Sequence, residues 1–165
     1  MAKTVPSLRV QTVLYQSSPE AMMRAFGSLV GALGHATDAL DRWVIAYGDS
    51  SPEHVLAPDV VAGFESAANE LGGRFEYHFF GENLGHGGGH NRLHSGSEED
   101  LLLILNPDGI LAPDAVVRLL EAFQPGVGVV DARQLPMEHP KEYVRETGEV
   151  SWCSLACALT SAAVF

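Results

Sequence analysis

The chain has 165 residues, of which 46% are hydrophobic and 19% charged, and this is enough to bury the core of one domain. Its formal net charge is −11, because 21 acidic residues face 10 Lys and Arg, and so acidic a surface argues against binding nucleic acid or an anionic membrane surface. The chain has no apolar run of the roughly 18–20 residues that cross a bilayer, no secretory signal in residues 1–6 and only two cysteines, so a reduced, cytoplasmic protein is predicted.

Short apolar strands alternate with helical periods in the first half of the chain. A strand is predicted over residues 8–15, where apolar and polar residues alternate. A helix is predicted to begin at Ser18-Pro19, because serine caps free N–H groups and proline is preset for the first helical position. The same signals predict a strand over 41–47, a helix over 60–71 and a strand over 74–80.

The second half of the chain begins with a glycine-rich segment, residues 81–92, which leads into a short helix toward His94. The uninterrupted apolar run Leu101–Leu105 is typical of a central parallel strand covered on both faces. A helix over 113–123 and a strand over 127–130 follow, and the tail from Asp131 is less regular, with a turn at His139-Pro140. Strand–helix alternation predicts one α/β domain, spanning 1–165, with a mostly parallel sheet flanked by helices.

Ligands in such sheets bind beyond the carboxyl ends of the strands. That rule nominates four loops, all rich in Gly, Ser, Asn and Asp, at residues 15–18, 48–52, 81–91 and 106–109. We therefore expect a polar ligand cleft where these loops meet.

Asp108 is the strongest candidate for a ligand-binding residue within these loops. Pro107 favours an extended Asn106, so the buried strand should end there and the Asp108 carboxylate should project from its rim. A hard oxygen ligand at this place suits Mg²⁺ or Mn²⁺, with phosphates of a bound ligand completing the coordination. Such a cation would let an acidic protein accept a nucleoside diphosphate. The alternative is an ordinary turn, since all four residues of Asn106-Pro107-Asp108-Gly109 are turn residues.

Other polar or reactive groups are ambiguous. The glycines of residues 85–89 permit close backbone approach or N–H contacts to an anion, but a flexible loop has the same composition. Histidines 86, 90 and 94 should share a helix face, a spacing that can bind Zn²⁺ or Ni²⁺, although a polar face without metal is favoured. Ser50 and Ser51 either cap a helix or contact a ligand, and capping is favoured. Cys153 and Cys157 are expected to be small core residues.

Two segments in sequence carry a resemblance to a known family. Asn83-Leu84-Gly85-His86-Gly87-Gly88-Gly89-His90-Asn91 precedes an apolar strand that ends in Asn106-Pro107-Asp108. This order resembles inverting glycosyltransferases of family 2, and is similar to rhamnosyl- and galactofuranosyltransferases among them. Residues 111–115 and 151–157 also match, so the resemblance covers nearly the whole chain and implies a GT-A-type, Rossmann-like fold.

The resemblance implies a site for a nucleoside-diphosphate sugar, such as a UDP- or dTDP-sugar, together with Mg²⁺ or Mn²⁺. The positions that match it are Tyr15, Gln16, Asp49 and Ser50 for base and ribose, Asn83, Gly85 and Asn91 in the glycine-rich segment, and Asn106 with Asp108. Asp108 matches the last acid of the metal-binding motif, so it is the implied metal ligand. The implied reaction transfers the sugar to a glycan or lipid-linked acceptor, as in cell-envelope polysaccharide synthesis, in the cytoplasm or at the inner face of the membrane.

The resemblance also has departures. The family continues past the position of Phe165 into acidic segments that supply the general base, so no catalytic base is assigned and the chain is expected to be truncated. The alternative is a non-catalytic module that binds a nucleotide or nucleotide sugar. A sugar-nucleotidyltransferase is disfavoured, because residues 15–18 hold no basic glycine-rich loop after the first strand. The apolar segment 152–165 would favour self-association.

Overall fold

The computed structural model describes residues 5–138 and 140–165. Residues 1–4 and His139 lie outside the described residues. The first belong to the segment examined for a secretory signal, and His139 belongs to the predicted turn. The elements in chain order are β1 Leu8–Leu14, α1 Pro19–His35, a 3₁₀ helix Thr37–Ala39, β2 Trp43–Asp49, α2 Pro58–Glu70, β3 Arg74–Phe79, α3 Gly85–His94, β4 Leu101–Leu105, α4 Ala115–Ala122, β5 Val129–Asp131 and β6 Cys157–Ser161.

The strands form a single six-stranded sheet in the order β3-β2-β1-β4-β6-β5. Strands β1 to β4 are parallel to one another, whereas β6 runs antiparallel to both of its neighbours, β4 and β5. The predicted α/β class with a mostly parallel sheet is therefore confirmed. Since β5 points the same way as β4, the carboxyl ends of β1 to β5 all lie along one edge, which we call the carboxyl edge.

The first helix follows its sequence signals closely. The Ser18 hydroxyl accepts a hydrogen bond from the backbone N–H of Ala21 at 3.4 Å, and Pro19 occupies the first helical position. The predicted apolar stripe is buried against the sheet, with Met22, Phe26, Leu29 and Leu33 all in the core. Local capping and 3.6-residue periodicity therefore suffice to define α1.

The clearest differences from the predicted strands are at β2 and β6. Strand β2 runs two residues further than predicted, because Gly48 and Asp49 pair with His78 and Phe79 of β3. Strand β6 was not predicted at all. Its residues, Cys157–Ser161, have modest β-propensity, and the strand exists because it fills the space between β4 and β5.

The two faces of the sheet are built differently. One face packs against α1, α2 and α4, and its centre is aromatic, with Phe26 stacked on Phe64 at 3.7 Å between ring centroids. The other face meets α3 and carries polar residues in its interior. There Arg9 of β1 is buried and forms ion pairs with Glu76 at 2.9 Å and Glu99 at 3.6 Å. Among the described residues, no helix is both long and apolar enough to cross a membrane.

Candidate functional site

The carboxyl edge brings the first two predicted loops into direct contact. The backbone N–H of Gln16 donates to the Ser51 hydroxyl at 2.7 Å, and the N–H of Ser50 donates to the Leu14 carbonyl at 2.9 Å. Gln16 has a φ of +50°, which is uncommon for a residue other than glycine. The Ser51 hydrogen bond therefore holds a strained turn, and the half-exposed Tyr15 ring stands beside it. The predicted helix-capping role of Ser50 and Ser51 is wrong, because α2 begins only at Pro58 with Ala57 as its N-cap.

Asp49 lies at the end of β2 and is completely buried. Its Oδ1 accepts from the N–H of Ser51 at 2.9 Å, and its Oδ2 accepts from the N–H of Val55 at 2.8 Å and from the Tyr77 hydroxyl. Burial, followed by the hydrogen bond to Asp49, raises the pKa of Tyr77 above its ordinary value, so Tyr77 stays a protonated donor. Both Asp49 oxygens are thus engaged in shaping the loop after β2.

The glycine-rich segment forms the start of α3 and packs closely on β1. An added Cβ at Gly89 would lie 2.7 Å from the Val13 side chain, so this position requires glycine for helix–sheet contact. Gly87 has open space around it, and Gly85 adopts a φ of +67° that favours glycine. Asn83 accepts from the Gly85 N–H at 2.9 Å. The run therefore combines close packing at one position with an accessible backbone at others.

Asp108 has an environment opposite to that of Asp49. The N–H of Asn106 donates to the Ala156 carbonyl at 2.9 Å, and the N–H of Gly109 donates back to Asn106 at 3.1 Å, which closes the turn. The Asp108 side chain is exposed, and it makes no hydrogen bond or ion pair within the described part of the chain. Because β4 lies beside β1, this free carboxylate stands on the same edge as the loops at Gln16 and Ser50.

The remaining predicted residues are accessible. Asn83 and Asn91 are exposed, at the approach to α3 and on its outer surface, and Asn106 is half-buried beside Asp108. The described contacts link Leu14 and Gln16 with the loop of Ser50, and Asn83 with Gly85. They do not link Asp108 to the glycine-rich segment.

Sequence reasoning missed a buried charged cluster at the end of β5. Asp131 pairs with Lys141 at 2.5 Å, and both side chains are only 2% exposed. Asp131 also accepts from the backbone N–H and the hydroxyl of Ser154, at 3.0 and 3.1 Å. The rule that nominated the other loops also holds for the strand predicted over 127–130. Applied to the end of that strand, it would have identified Asp131.

The three histidines at four-residue spacing all lie on α3, where the rings of His86 and His90 are in contact at 4.5 Å between centroids. Within residues 5–138 and 140–165, no group of three or more His, Cys, Asp or Glu side chains is arranged to hold a metal ion. Cys157 is buried, as expected, while Cys153 is only half-buried, and neither forms a disulfide in the described structure.

The fold is shared with solved structures of low sequence identity. A mannosyltransferase from Pyrobaculum calidifontis in complex with GDP-Man and Mn²⁺ matches with a TM-score of 0.64 and 17% identity over 78% of this chain. The mannosyl-3-phosphoglycerate synthase of Rubrobacter xylanophilus matches with a TM-score of 0.56 and 15% identity over 96% of the chain. The 4-diphosphocytidyl-2C-methyl-D-erythritol synthase of Anaerococcus prevotii matches with a TM-score of 0.55 and 6% identity, over 96% of this chain and 73% of its own.

These likenesses confirm the GT-A-type, Rossmann-like fold. The chain spans 36% of the length of the first structure and 54% of the second. No protein-family description and no curated protein sequence matches the chain. Since the neighbours have different names and activities, the fold alone does not identify the reaction.

Proposed function

We propose that this chain is the donor-binding part of an inverting family 2 glycosyltransferase, which transfers a sugar from a nucleoside-diphosphate sugar to a glycan or lipid-linked acceptor. The observation that carries the proposal is the exposed, unpaired Asp108 carboxylate at the carboxyl end of β4. It stands in a fold shared with a mannosyltransferase that was solved with a nucleotide sugar and Mn²⁺.

Electrostatics make a cation necessary in this proposal. A chain of net charge −11 repels a diphosphate unless a local positive charge compensates. Asp108 is a hard oxygen donor without a protein partner, which fits Mg²⁺ or Mn²⁺ completed by ligand phosphates, and Asn106 offers a second oxygen nearby. When bound, the metal neutralises the negative charge that develops on the departing diphosphate.

The start of α3 offers a second set of groups for binding the diphosphate of the ligand. The first N–H groups of a helix have no partner within the helix and attract anions. Gly85 and Gly87 carry no side chain, and an added Cβ at either position would meet open space, so the backbone of this turn is accessible. Asn83 fixes the entry to the helix through Gly85. We therefore assign the phosphate contacts to this turn.

Base and ribose are assigned to the loops after β1 and β2. Tyr15 offers a half-exposed ring for stacking, and Gln16 is held beside it by Ser51. The Ser50 hydroxyl is buried and has no hydrogen-bond partner in the described structure. Asp49 acts in this proposal as the support of the loop, since Ser51, Val55 and Tyr77 occupy its oxygens.

A second candidate function is donor binding without transfer. It is favoured by the surroundings of the aspartates that end β2 and β5 on the carboxyl edge. Asp49 is buried in its loop and Asp131 is neutralised by Lys141, so neither can deprotonate an acceptor hydroxyl. Transfer then needs a base other than these two aspartates.

Ligand-dependent thermal stabilisation tests the proposal. We expect UDP-glucose, dTDP-glucose or GDP-mannose with Mn²⁺ to stabilise the protein by about 2.7 kcal/mol at about 100-fold excess over the dissociation constant. Asp108→Asn should abolish the Mn²⁺-dependent part of the stabilisation, whereas Asp114→Asn, at another exposed aspartate, should keep it. Equal stabilisation of both variants would refute the metal role, and release of free sugar from a nucleotide sugar would exclude the non-catalytic alternative.

A further inference from the structure

Gln11 of β1 lies fully buried beneath α3 and holds the backbone of this helix. In the amide orientation that gives each polar atom a partner, its Nε2 donates to the His90 carbonyl at 3.1 Å and its Oε1 accepts from the His94 N–H at 3.1 Å. The opposite orientation sets donor against donor and acceptor against acceptor. With four glycines among its ten residues, α3 has low intrinsic helix propensity and depends on such contacts.

The same amide fixes the proton position on His90. Gln11 Nε2 also donates to His90 Nδ1 at 3.2 Å, so Nδ1 carries the lone pair and the ring proton lies on Nε2. His90 Nε2 faces His86 Nε2 at 3.3 Å. His90 is therefore the donor of this pair, and a neutral His86 accepts while its own proton is on Nδ1.

We propose that Gln11, His90 and His86 form a positioning chain that keeps the glycine-rich turn of α3 ready for the donor's diphosphate and that loosens when His86 is protonated. Only the link to the diphosphate rests on the proposed function, since the hydrogen-bond chain needs no ligand. A protonated His86 has hydrogens on both ring nitrogens and cannot accept from His90. His90 then regains a hydrogen bond to His86 only if its own proton moves to Nδ1. The protonated Nδ1 faces the Gln11 Nε2 donor, so Gln11 no longer holds the helix backbone.

The surroundings of His90 keep its ring neutral. Burial, followed by the charge of His86, lowers the pKa of His90 to about 4. Among strands β1 to β4, the charged and titratable residues on the face of the sheet that meets α3 are Arg9, Arg74, Glu76 and His78. Glu76 lies 2.9 Å from Arg9, 3.1 Å from Arg74 and 3.3 Å from His78, and Arg9 also lies 3.6 Å from Glu99, so these groups are paired with one another.

The other titratable groups of α3 have partners of their own. Arg92 pairs with Glu82 at 3.3 Å and lies over the Phe80 ring. His94 Nδ1 lies 2.9 Å from the Ser97 hydroxyl. His86 is exposed, and its ring contacts the ring of His90 at 4.5 Å between centroids, so it links the buried His90 to the solvent.

Nitrogen-15 NMR of the imidazole rings tests the chain without any ligand. At about pH 7.5 we expect the His90 proton on Nε2 and the His86 proton on Nδ1. The pH is then lowered until the same spectra show His86 as an imidazolium, and there the α3 amides should exchange faster than intrinsic rates explain. A His90 proton on Nδ1 at the higher pH, or equal α3 protection at both, would overturn the proposal.

Matched variants separate the chain from general acid effects. His86→Gln places a carbonyl oxygen that accepts from His90 and does not titrate, so α3 should stay protected at both pH values. His35→Gln, at the end of α1, should leave the wild-type loss unchanged. If His86→Gln loses protection as the wild type does, His86 is not the responsive group.

Donor affinity provides the functional arm. With Mn²⁺ and GDP-mannose or UDP-glucose, wild-type affinity should fall about fivefold to tenfold over this pH interval, the equivalent of one net hydrogen bond. His86→Gln should show less than about half of that change in logarithmic terms. An equal fall in both proteins contradicts the link to the donor, while absence of donor binding at either pH contradicts the proposed function and leaves the NMR result to decide on the chain.

Discussion

Asp49 ends β2 and Asp108 follows β4, the two strands that flank β1, yet their surroundings are opposite. Asp49 is fully buried, and its two oxygens receive three hydrogen bonds from its own loop and from Tyr77. Asp108 is exposed and unpaired within the described chain. The same residue type at equivalent strand ends thus supports the fold in one case and remains available to a ligand in the other.

This difference shows what defines a binding carboxylate in such a sheet. A carboxylate whose oxygens are already satisfied gains little from a ligand, because a new bond must replace an existing one. A free carboxylate at the carboxyl edge gives up only bound water when a ligand binds. The loop after β2 therefore supplies shape to the carboxyl edge, and the turn after β4 supplies charge.

The largest expected effect is on the buried member of the pair. Asp49→Ala leaves the N–H groups of Ser51 and Val55 and the Tyr77 hydroxyl without their acceptor, so we expect a loss of about 3–5 kcal/mol in the free energy of unfolding. Urea denaturation measures it. Tyr77→Phe removes only one of the donors and should cost about 1 kcal/mol. An Asp49→Ala protein as stable as the wild type would show that the loop does not depend on this carboxylate.

His90 is a buried basic residue whose surroundings, like those of Asp49, matter for stability. Its pKa is lowered from 6.5 to about 4, so the unfolded chain takes up a proton at a higher pH than the folded one. The free energy of unfolding should therefore be complete above pH ~6.5 and fall by about 3 kcal/mol as the pH drops toward 4. His90→Asn keeps an acceptor for Gln11 and does not titrate, so its stability should change less over that interval; a wild-type slope in this variant would contradict the assignment.

Two glycines of α3 show the same contrast, between a tightly packed and an open position, within one helical turn. Gly89→Ala places a methyl group 2.7 Å from the Val13 side chain, and we expect it to cost about 1–3 kcal/mol. Gly87→Ala meets open space and should stabilise the helix by up to about 1 kcal/mol, because alanine has the higher helix propensity. Thermal denaturation of both variants decides this, and equal effects would mean that α3 is not packed as described.

The smallest stability effect is expected at the exposed aspartate. Asp108→Ala removes no contact with the described chain, so the free energy of unfolding should change by less than about 0.5 kcal/mol. The same variant should lose the Mn²⁺-dependent response to nucleotide sugars. A large loss of stability would place Asp108 with Asp49 among the supporting residues and would remove the main argument for a metal site.

Much of the architecture was predictable because its signals are local. The cap at Ser18, the apolar stripe of α1 and the unbroken run of β4 each specify an element without reference to the rest of the chain. Strand β6 was not predictable in this way, since its residues become a strand only by lying between β4 and β5. The helix cap expected of Ser50 and Ser51 was also wrong, because α2 begins only at Pro58 and the Ser51 hydroxyl instead accepts from Gln16 of the neighbouring loop.

By itself the sequence determined the strand–helix alternation, and with it the edge at which Tyr15, Gln16, Ser50 and Asp108 would lie, because the carboxyl ends of parallel strands must point the same way. Only the tertiary structure decided which polar groups on that edge are already engaged. Hydrogen bonds such as those from Tyr77 to Asp49 and from Gln11 to α3 join residues far apart in the chain, and neither periodicity nor spacing encodes them.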